Sequence, residues 1–178
     1  AIATTLLALA TDPVTRWTWP GARQYLPPMR TFVRAFGGNA FEHGGAHCTH
    51  DYTGVALWLP PGGDADSERL DDLMEGTASP SAREAGSAIF EQMAKYHPQD
   101  PHWYLPLIGV DPAHQGKGHG DALMAYALDR CDRDGLPAYL ESTNPRNISL
   151  YLRHGFEPLG SIQASSSPEL IPMVRHPR

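Results

Sequence analysis

Val110-Asp111-Pro112-Ala113-His114-Gln115-Gly116-Lys117-Gly118-His119-Gly120 is the stretch on which the fold of this chain turns. Ahead of it runs His102-Trp103-Tyr104-Leu105-Pro106-Leu107-Ile108-Gly109-Val110, a nearly continuous apolar segment that reads as a strand buried on both faces. Behind it, Leu123, Met124, Ala127, Leu128 and Cys131 recur at spacings of three and four, one face of a helix that ends near Gly135. The glycines at 116, 118 and 120 let successive backbone N–H groups crowd together and point one way, at the positive end of that helix. Such a turn seats a phosphate or pyrophosphate, with a ligand-free glycine turn as the alternative on these residues alone. Two commoner phosphate loops do not fit. Gly109 stands six residues before Gly116 and Gly118 follows Lys117, which breaks the Walker spacing, and Asp121 occupies the last glycine position of a dinucleotide fingerprint.

Outward from this turn, Ala138-Tyr139-Leu140-Glu141 is a further short strand. Residues 145–154 read as a helix, with Asn144 as N-cap, Pro145 at its first position and Gly155 just past its end. Two weaker strands are expected near 156–163 and 169–174, either side of the loop Ala164-Ser165-Ser166-Ser167-Pro168. In the first half, residues 1–10 make a short helix, Asp12-Pro13 ends it or starts the next turn, and Trp17-Thr18-Trp19-Pro20-Gly21 is a turn. Tyr25, Leu26, Met29, Phe32, Val33 and Phe36 give Ala22–Phe36 a helical period that Gly37-Gly38-Asn39 stops. Residues 46–60 form a strand pair around Asp51-Tyr52-Thr53-Gly54, and helical patches follow at 67–75 and 81–96. Strand and helix alternate in the second half behind that pair, which implies one mixed α/β (α+β) sheet flanked by helices.

The chain has 178 residues, a length for one domain spanning 1–178, and 41% of them are apolar, enough for a core. Its 17 glycines and 17 prolines are about a fifth of the chain, short of the ~25–30% of low-complexity sequence. A net charge of −6 argues against nucleic acid as a partner. No apolar stretch approaches the ~20 residues of a membrane span. Cys48 and Cys131 are too few and too far apart for a disulfide framework, so a reducing, cytoplasmic setting is expected. The start at alanine rather than methionine implies that some N-terminal residues precede the sequence. Monomer and homodimer are both left open.

Gln115-Gly116-Lys117-Gly118-His119-Gly120 resembles the Q/R-x-x-G-x-G/A signature of the GNAT superfamily of acyl-CoA-dependent N-acyltransferases. Leu140-Glu141-Ser142-Thr143-Asn144-Pro145-Arg146-Asn147, running on to Tyr151 and Gly155-Phe156, resembles a second motif of that superfamily. The phrases Leu-Glu-Ser, Pro-Arg-Asn and Gly-Phe, and more weakly Val55–Gly62, are most similar to the puromycin N-acetyltransferase-like group. The likeness covers about residues 102–160. It implies a central, mostly antiparallel sheet splayed between its fourth and fifth strands, acetyl-CoA as acyl donor, and no metal.

The same resemblance implies roles for named residues. Backbone from Gln115 through Gly116, Lys117, Gly118 and His119 to Gly120 would take the CoA pyrophosphate. Ile108 and Val110 would pair with pantetheine as an added strand would. Gly109 would host a strand bulge at the splay, whereas Pro106, which lacks an N–H, either marks lost pairing or shifts the register. Tyr151 would protonate the departing thiolate, and at its usual pKa near 10 a phenol can do so. Asn144, Asn147 and Tyr151 share one helix face by their spacing, which makes both asparagines candidate CoA contacts. Glu141 is the candidate base, with a purely structural carboxylate as the rival. Trp17 and Trp19 are core residues or line an amine pocket. His43, His47, Cys48 and His50 lie close in sequence, but Gly44-Gly45 interrupts them and no partner ligand pattern follows, so no metal is expected. A small-molecule amine is then the expected acceptor, with a protein or peptide amine, or a non-catalytic CoA sensor, as alternatives.

Overall fold

A computed structural model describes residues 1–178. Helix α1 (Ile2–Ala8) and a single 3-10 turn lead to Asp12, whose Oδ1 accepts from the Thr15 N–H at 2.9 Å and caps α2 (Pro13–Thr18). Trp17 and Thr18 therefore lie in a helix, not in the turn expected at 17–21. Asp12 with Pro13 is a helix start, a polar cap followed by proline at the first helical position. Helix α3 (Ala22–Phe36) forms over the expected span although Pro27 and Pro28 lie inside it. The donors those prolines lack would have served the carbonyls of Arg23 and Gln24, both in the first turn.

The sheet begins with β1 (Ala46–Cys48) and β2 (Gly54–Leu59), an antiparallel pair. Helices α4 (Ser67–Thr77) and α5 (Pro80–Tyr96) follow, each capped by a side-chain oxygen, from Asp66 and Ser79. Then come β3 (Trp103–Val110), α6 (His119–Asp134), β4 (Ala138–Ser142), α7 (Ile148–Arg153), β5 (Glu157–Pro158) and β6 (Ile171–Arg175). Six strands stand in the order β1-β2-β3-β4-β6-β5, all pairs antiparallel except β3 with β4. The segment expected as one helix at 145–154 starts as a 3-10 turn over Pro145–Asn147 before α7. The expected strand at 156–163 shortens to β5 and one bridge, Ile162 to Leu170.

Side-chain alternation divides the core between the two faces of the sheet. Ala56 and Trp58 of β2 pack with the apolar stripe of α6, including Leu123, Met124 and Leu128. Val55, Leu57 and Leu59 pack on the other face with Met29 and Val33 of α3. Each of these large buried side chains contributes about 1.5–3 kcal/mol of transfer free energy. β3 changes phase on the way. Trp103 and Leu105 join the α6 face, whereas Tyr104 and Leu107, three apart, both join the α3 face.

That phase change is a β-bulge. Leu57 pairs with Leu107 but Leu59 pairs with Tyr104, so Leu105 and Pro106 together oppose Trp58. Gly109 does not carry the bulge expected of it. It pairs in register with Val55, and a Cβ there would stand 2.5 Å from the Ala8 Cβ. Glycine at 109 lets α1 lie against the strand, and proline takes the bulge because its missing N–H costs nothing where no ladder partner exists.

Candidate active site

The parallel ladder between β3 and β4 holds only two residue pairs, Trp103 with Ala138 and Tyr104 with Tyr139. It ends at the bulge, and beyond it the strands part. Trp58 donates its N–H to the Gly45 carbonyl at 2.8 Å, so the peptide groups of Leu57 and Leu59 face β3 instead. By register and alternation, Leu107 and Gly109 answer them, and the peptide groups of Ile108 and Val110 face the open side. Gln115 Nε2 donates to the Val110 carbonyl at 3.2 Å, tying the strand end to the glycine turn.

Two depressions meet at this opening. One is a polar cleft between the glycine turn, α1 and α7, bordered by Gln115, Gly116, Gly118, His119 and Gly120. Asn144, Asn147 and Tyr151 border it from the opposite side, although Asn144 precedes the 3-10 turn, Asn147 ends it and only Tyr151 lies on α7. Gly116 and Gly118 have φ of +75° and +84°, and an added Cβ would meet nothing within 4 Å at either. The backbone there is bent into the left-handed region that favours glycine, with free space before it. Lys117 is exposed at the tip of the turn and does not line the cleft, whereas Arg146, part of the second motif but given no role there, does.

The other depression is an apolar cavity walled by α2, α3 and α5, with Trp17, Trp19, Phe32, Phe36 and Met93 among its residues. Trp19 is a buried core residue whose Nε1–H donates to Thr77 Oγ1 at 3.0 Å, and Trp17 donates to Ser166 Oγ at 3.3 Å. Glu141 is the one charged residue of the lining. Leu9, Ile108, Asn147 and Tyr151 border both depressions, so the cleft and the cavity join where β3 and β4 part.

Tyr151 is 4% exposed, and burial first, then the nearby Asp12 charge, raise its phenol above the ordinary value. Asp12 is itself buried at 3%, with Oδ2 accepting from Thr143 Oγ1 at 2.6 Å. Burial raises its carboxyl against the pull of that hydrogen bond. Sequence reading took Asp12 only as a turn signal, and its place beside Tyr151 was not visible. The Glu141 side chain is 4% exposed, and Oε2 accepts from the Tyr104 hydroxyl at 2.8 Å. Oε1 has no hydrogen-bond partner, and His97 Nδ1 stands 3.9 Å from it. His43, His47, Cys48 and His50 do not converge, and His47 meets the Tyr126 ring edge-on at 4.9 Å.

Residues 85–156, from α5 through Phe156, match the acetyltransferase (GNAT) family. Over that stretch the chain is similar to GNAT acetyltransferases. It is 28% identical over 147 residues to an uncharacterised N-acetyltransferase of Schizosaccharomyces pombe, covering 71% of this chain and 58% of that protein. It is 29% identical over 96 residues to the mycothiol acetyltransferase of Streptomyces avermitilis, covering 52% of this chain and 31% of that one. The chain therefore spans only part of the curated relatives it matches. A crystal structure described as histone acetyltransferase HPA2 and related acetyltransferase, from Corynebacterium glutamicum, superposes with a TM-score of 0.66. That match is 25% identical and covers 99% of this chain and 89% of the other. The mixed, mostly antiparallel six-stranded sheet flanked by helices thus matches the fold of a GNAT acetyltransferase structure. No helix here is long and apolar enough to cross a membrane.

Proposed function

We propose that this protein is a GNAT N-acetyltransferase that moves acetyl from acetyl-CoA to the primary amine of a small, largely apolar molecule. The junction of cleft and cavity at Tyr151 carries this reading. One arm is polar and backbone-rich, fit for a phosphorylated donor. The other is apolar with a single carboxylate, fit for an apolar amine that enters as ammonium. The likeness of Leu140–Glu141–Ser142 and of Val55–Gly62 to the puromycin-acetyltransferase-like group supports a small acceptor, and the two unbridged cysteines support a cytoplasmic setting.

In the chemistry that follows, the N–H groups of the turn at 115–120 take the pyrophosphate at the start of α6. Arg146 adds a cation at the rim, and the peptides of Ile108 and Val110 hold pantetheine as a partner strand would. Glu141 takes one proton from the ammonium, directly or through water. The amine nitrogen then bonds to the thioester carbonyl carbon as the carbon–sulfur bond breaks. Tyr151 donates its phenolic proton to the thiolate, and the second amine proton restores the phenol. Each turnover yields amide, free thiol and one released proton. Burial that raises Tyr151 keeps it a donor at neutral pH.

Free-thiol release from acetyl-CoA, read across aryl- and alkylamines, hydrophilic diamines and lysine peptides, tests the reading. Apolar amines should give the highest kcat/KM. Preference for peptides would replace the acceptor, and tight CoA binding without release on any amine would make the protein a sensor.

A further inference from the structure

Behind Glu141 lies a half-buried array that the transfer chemistry leaves unused. His97 caps the C-terminus of α5, and its ring sits within 5.0 Å, centroid to centroid, of His102, Tyr104 and Tyr139. His102 Nδ1 lies 2.8 Å from the Asp100 carbonyl, and its Nε2 lies 3.0 Å from His97 Nε2. A carbonyl only accepts, so His102 carries its proton on Nδ1 and offers a lone pair at Nε2. His97 must then donate from Nε2, which leaves the Nδ1 of neutral His97 as a lone pair. That lone pair faces Glu141 Oε1 at 3.9 Å, and Oε1 has no hydrogen-bond partner. Two acceptors face each other across a gap that one proton, or one water carrying it, would close.

We propose that His97 and His102 form a relay that receives the acceptor's proton from Glu141 and passes it to solvent. The proposal rests on the acetyl-transfer reading, since that reaction must discharge one proton per turnover. Glu141 gives that proton to His97 Nδ1. The His97 imidazolium keeps its Nε2–H on His102 Nε2 and gives the Nδ1 proton to solvent water, so both rings regain their starting tautomers. Glu141 is thus left ionised for the next ammonium. The His97 side chain is 36% exposed, so the proton it takes from Glu141 can reach water from the same ring. The other titratable groups facing His97 are Tyr104 from β3 and Tyr139 from β4, with Tyr96 beside it on α5. Burial and the Glu141 charge hold the phenols of Tyr104 and Tyr139 above their usual value, so neither competes for the proton near neutrality. Burial lowers His102, which keeps it neutral and its Nε2 an acceptor for His97 Nε2–H.

His97 and His102 are positioning residues for a proton, and their test must separate that role from packing. In His97→Gln, kcat at pH 7 should fall roughly tenfold to a hundredfold. The KM for acetyl-CoA and the melting temperature should stay near those of the parent. The loss should shrink as pH rises and more amine arrives neutral. In His97→Ala, added imidazole should restore turnover. A deficit equal at every pH and untouched by imidazole, or no deficit, overturns the relay. Long-range 1H–15N spectra of the imidazoles in the unmodified protein give a reading free of turnover. Nε2–H on His97 with Nδ1–H on His102 is expected, and Nδ1–H on neutral His97 overturns the proposal even if His97 variants fail to fold. A protein with these tautomers that moves acetyl to no amine would overturn the transferase reading and the catalytic use of the relay together, whereas an active protein indifferent to His97 sinks the relay alone.

Discussion

Tyr151 and Gly118 are the two residues at which a single atom can be asked about a single step. Tyr151→Phe keeps the ring in its buried place and removes only the donor. Because general-acid catalysis is worth roughly 10²–10⁴ in rate, kcat should fall within that range while acetyl-CoA affinity holds. Steady-state kinetics beside a melting curve decide it, since a hydroxyl that merely packs would cost stability and leave turnover near normal. At Gly118 the question concerns the donor. A β-branched residue at φ +84° is strained, and its side chain would project into the free space before the turn. Gly118→Val should weaken CoA binding by at least tenfold, about 1.4 kcal/mol, in a protein that stays folded. Unchanged affinity by calorimetric titration would move the phosphate seat elsewhere.

Elements rather than atoms decide what glycine at 109 does. Its missing side chain admits α1, because an added Cβ would come within 2.5 Å of Ala8 Cβ. Gly109→Val should therefore cost roughly 1–3 kcal/mol by overpacking, seen as a lowered denaturation midpoint. It should also raise the KM for acetyl-CoA, since α1 borders the donor cleft. Here the sequence could and could not be read for a physical reason. Period, caps and turn residues are local, so α3, α6, the strand before the glycine turn and the Tyr151 face of α7 were legible. Which residue hosts the bulge depends on what packs against the strand, and glycine and proline were both eligible until α1 was in view. Asp12-Pro13 held a helix-start signal that reading it as a turn overlooked. The partners of Glu141 lie at 97 and 104, positions with no common spacing to betray them, so its surroundings were illegible at any window length.

At the scale of the whole molecule, the last strand is pinned to α6 by one buried cation. Arg175 is 4% exposed, and its Nη1 and Nη2 each reach Asp132 at 2.8 Å, while Nε donates to the His154 carbonyl at 3.0 Å. Those hydrogen bonds, foremost among the influences on it, hold the Asp132 carboxyl below its ordinary value. A carboxyl lowered on folding adds stability at neutral pH that is lost as pH falls through the lowered value. Asp132→Asn leaves the guanidinium without a counter-charge and should cost roughly 3 kcal/mol at pH 7. Urea melts at descending pH should show the gap to the parent closing in acid. A gap that persists unchanged would mean that shape, not charge, holds the pair.

The two-rung ladder between β3 and β4 gives the protein something sheets normally avoid, an unpaired strand edge in the middle. Exposed edges invite other chains to add themselves and so seed aggregation. This one opens inward, between α1 and the glycine turn, where a folded neighbour or a second sheet could not follow. Only something as slender as a single extended chain can complete it. On the proposed reading, the edge that other sheets cannot reach is the one a linear cofactor completes. Its amides should report occupancy directly: backbone N–H exchange at Ile108 and Val110 should be fast in the free protein and slow once CoA is bound, with Leu107 and Gly109 protected throughout. Equal exchange with and without CoA would show that the donor lies along some other path.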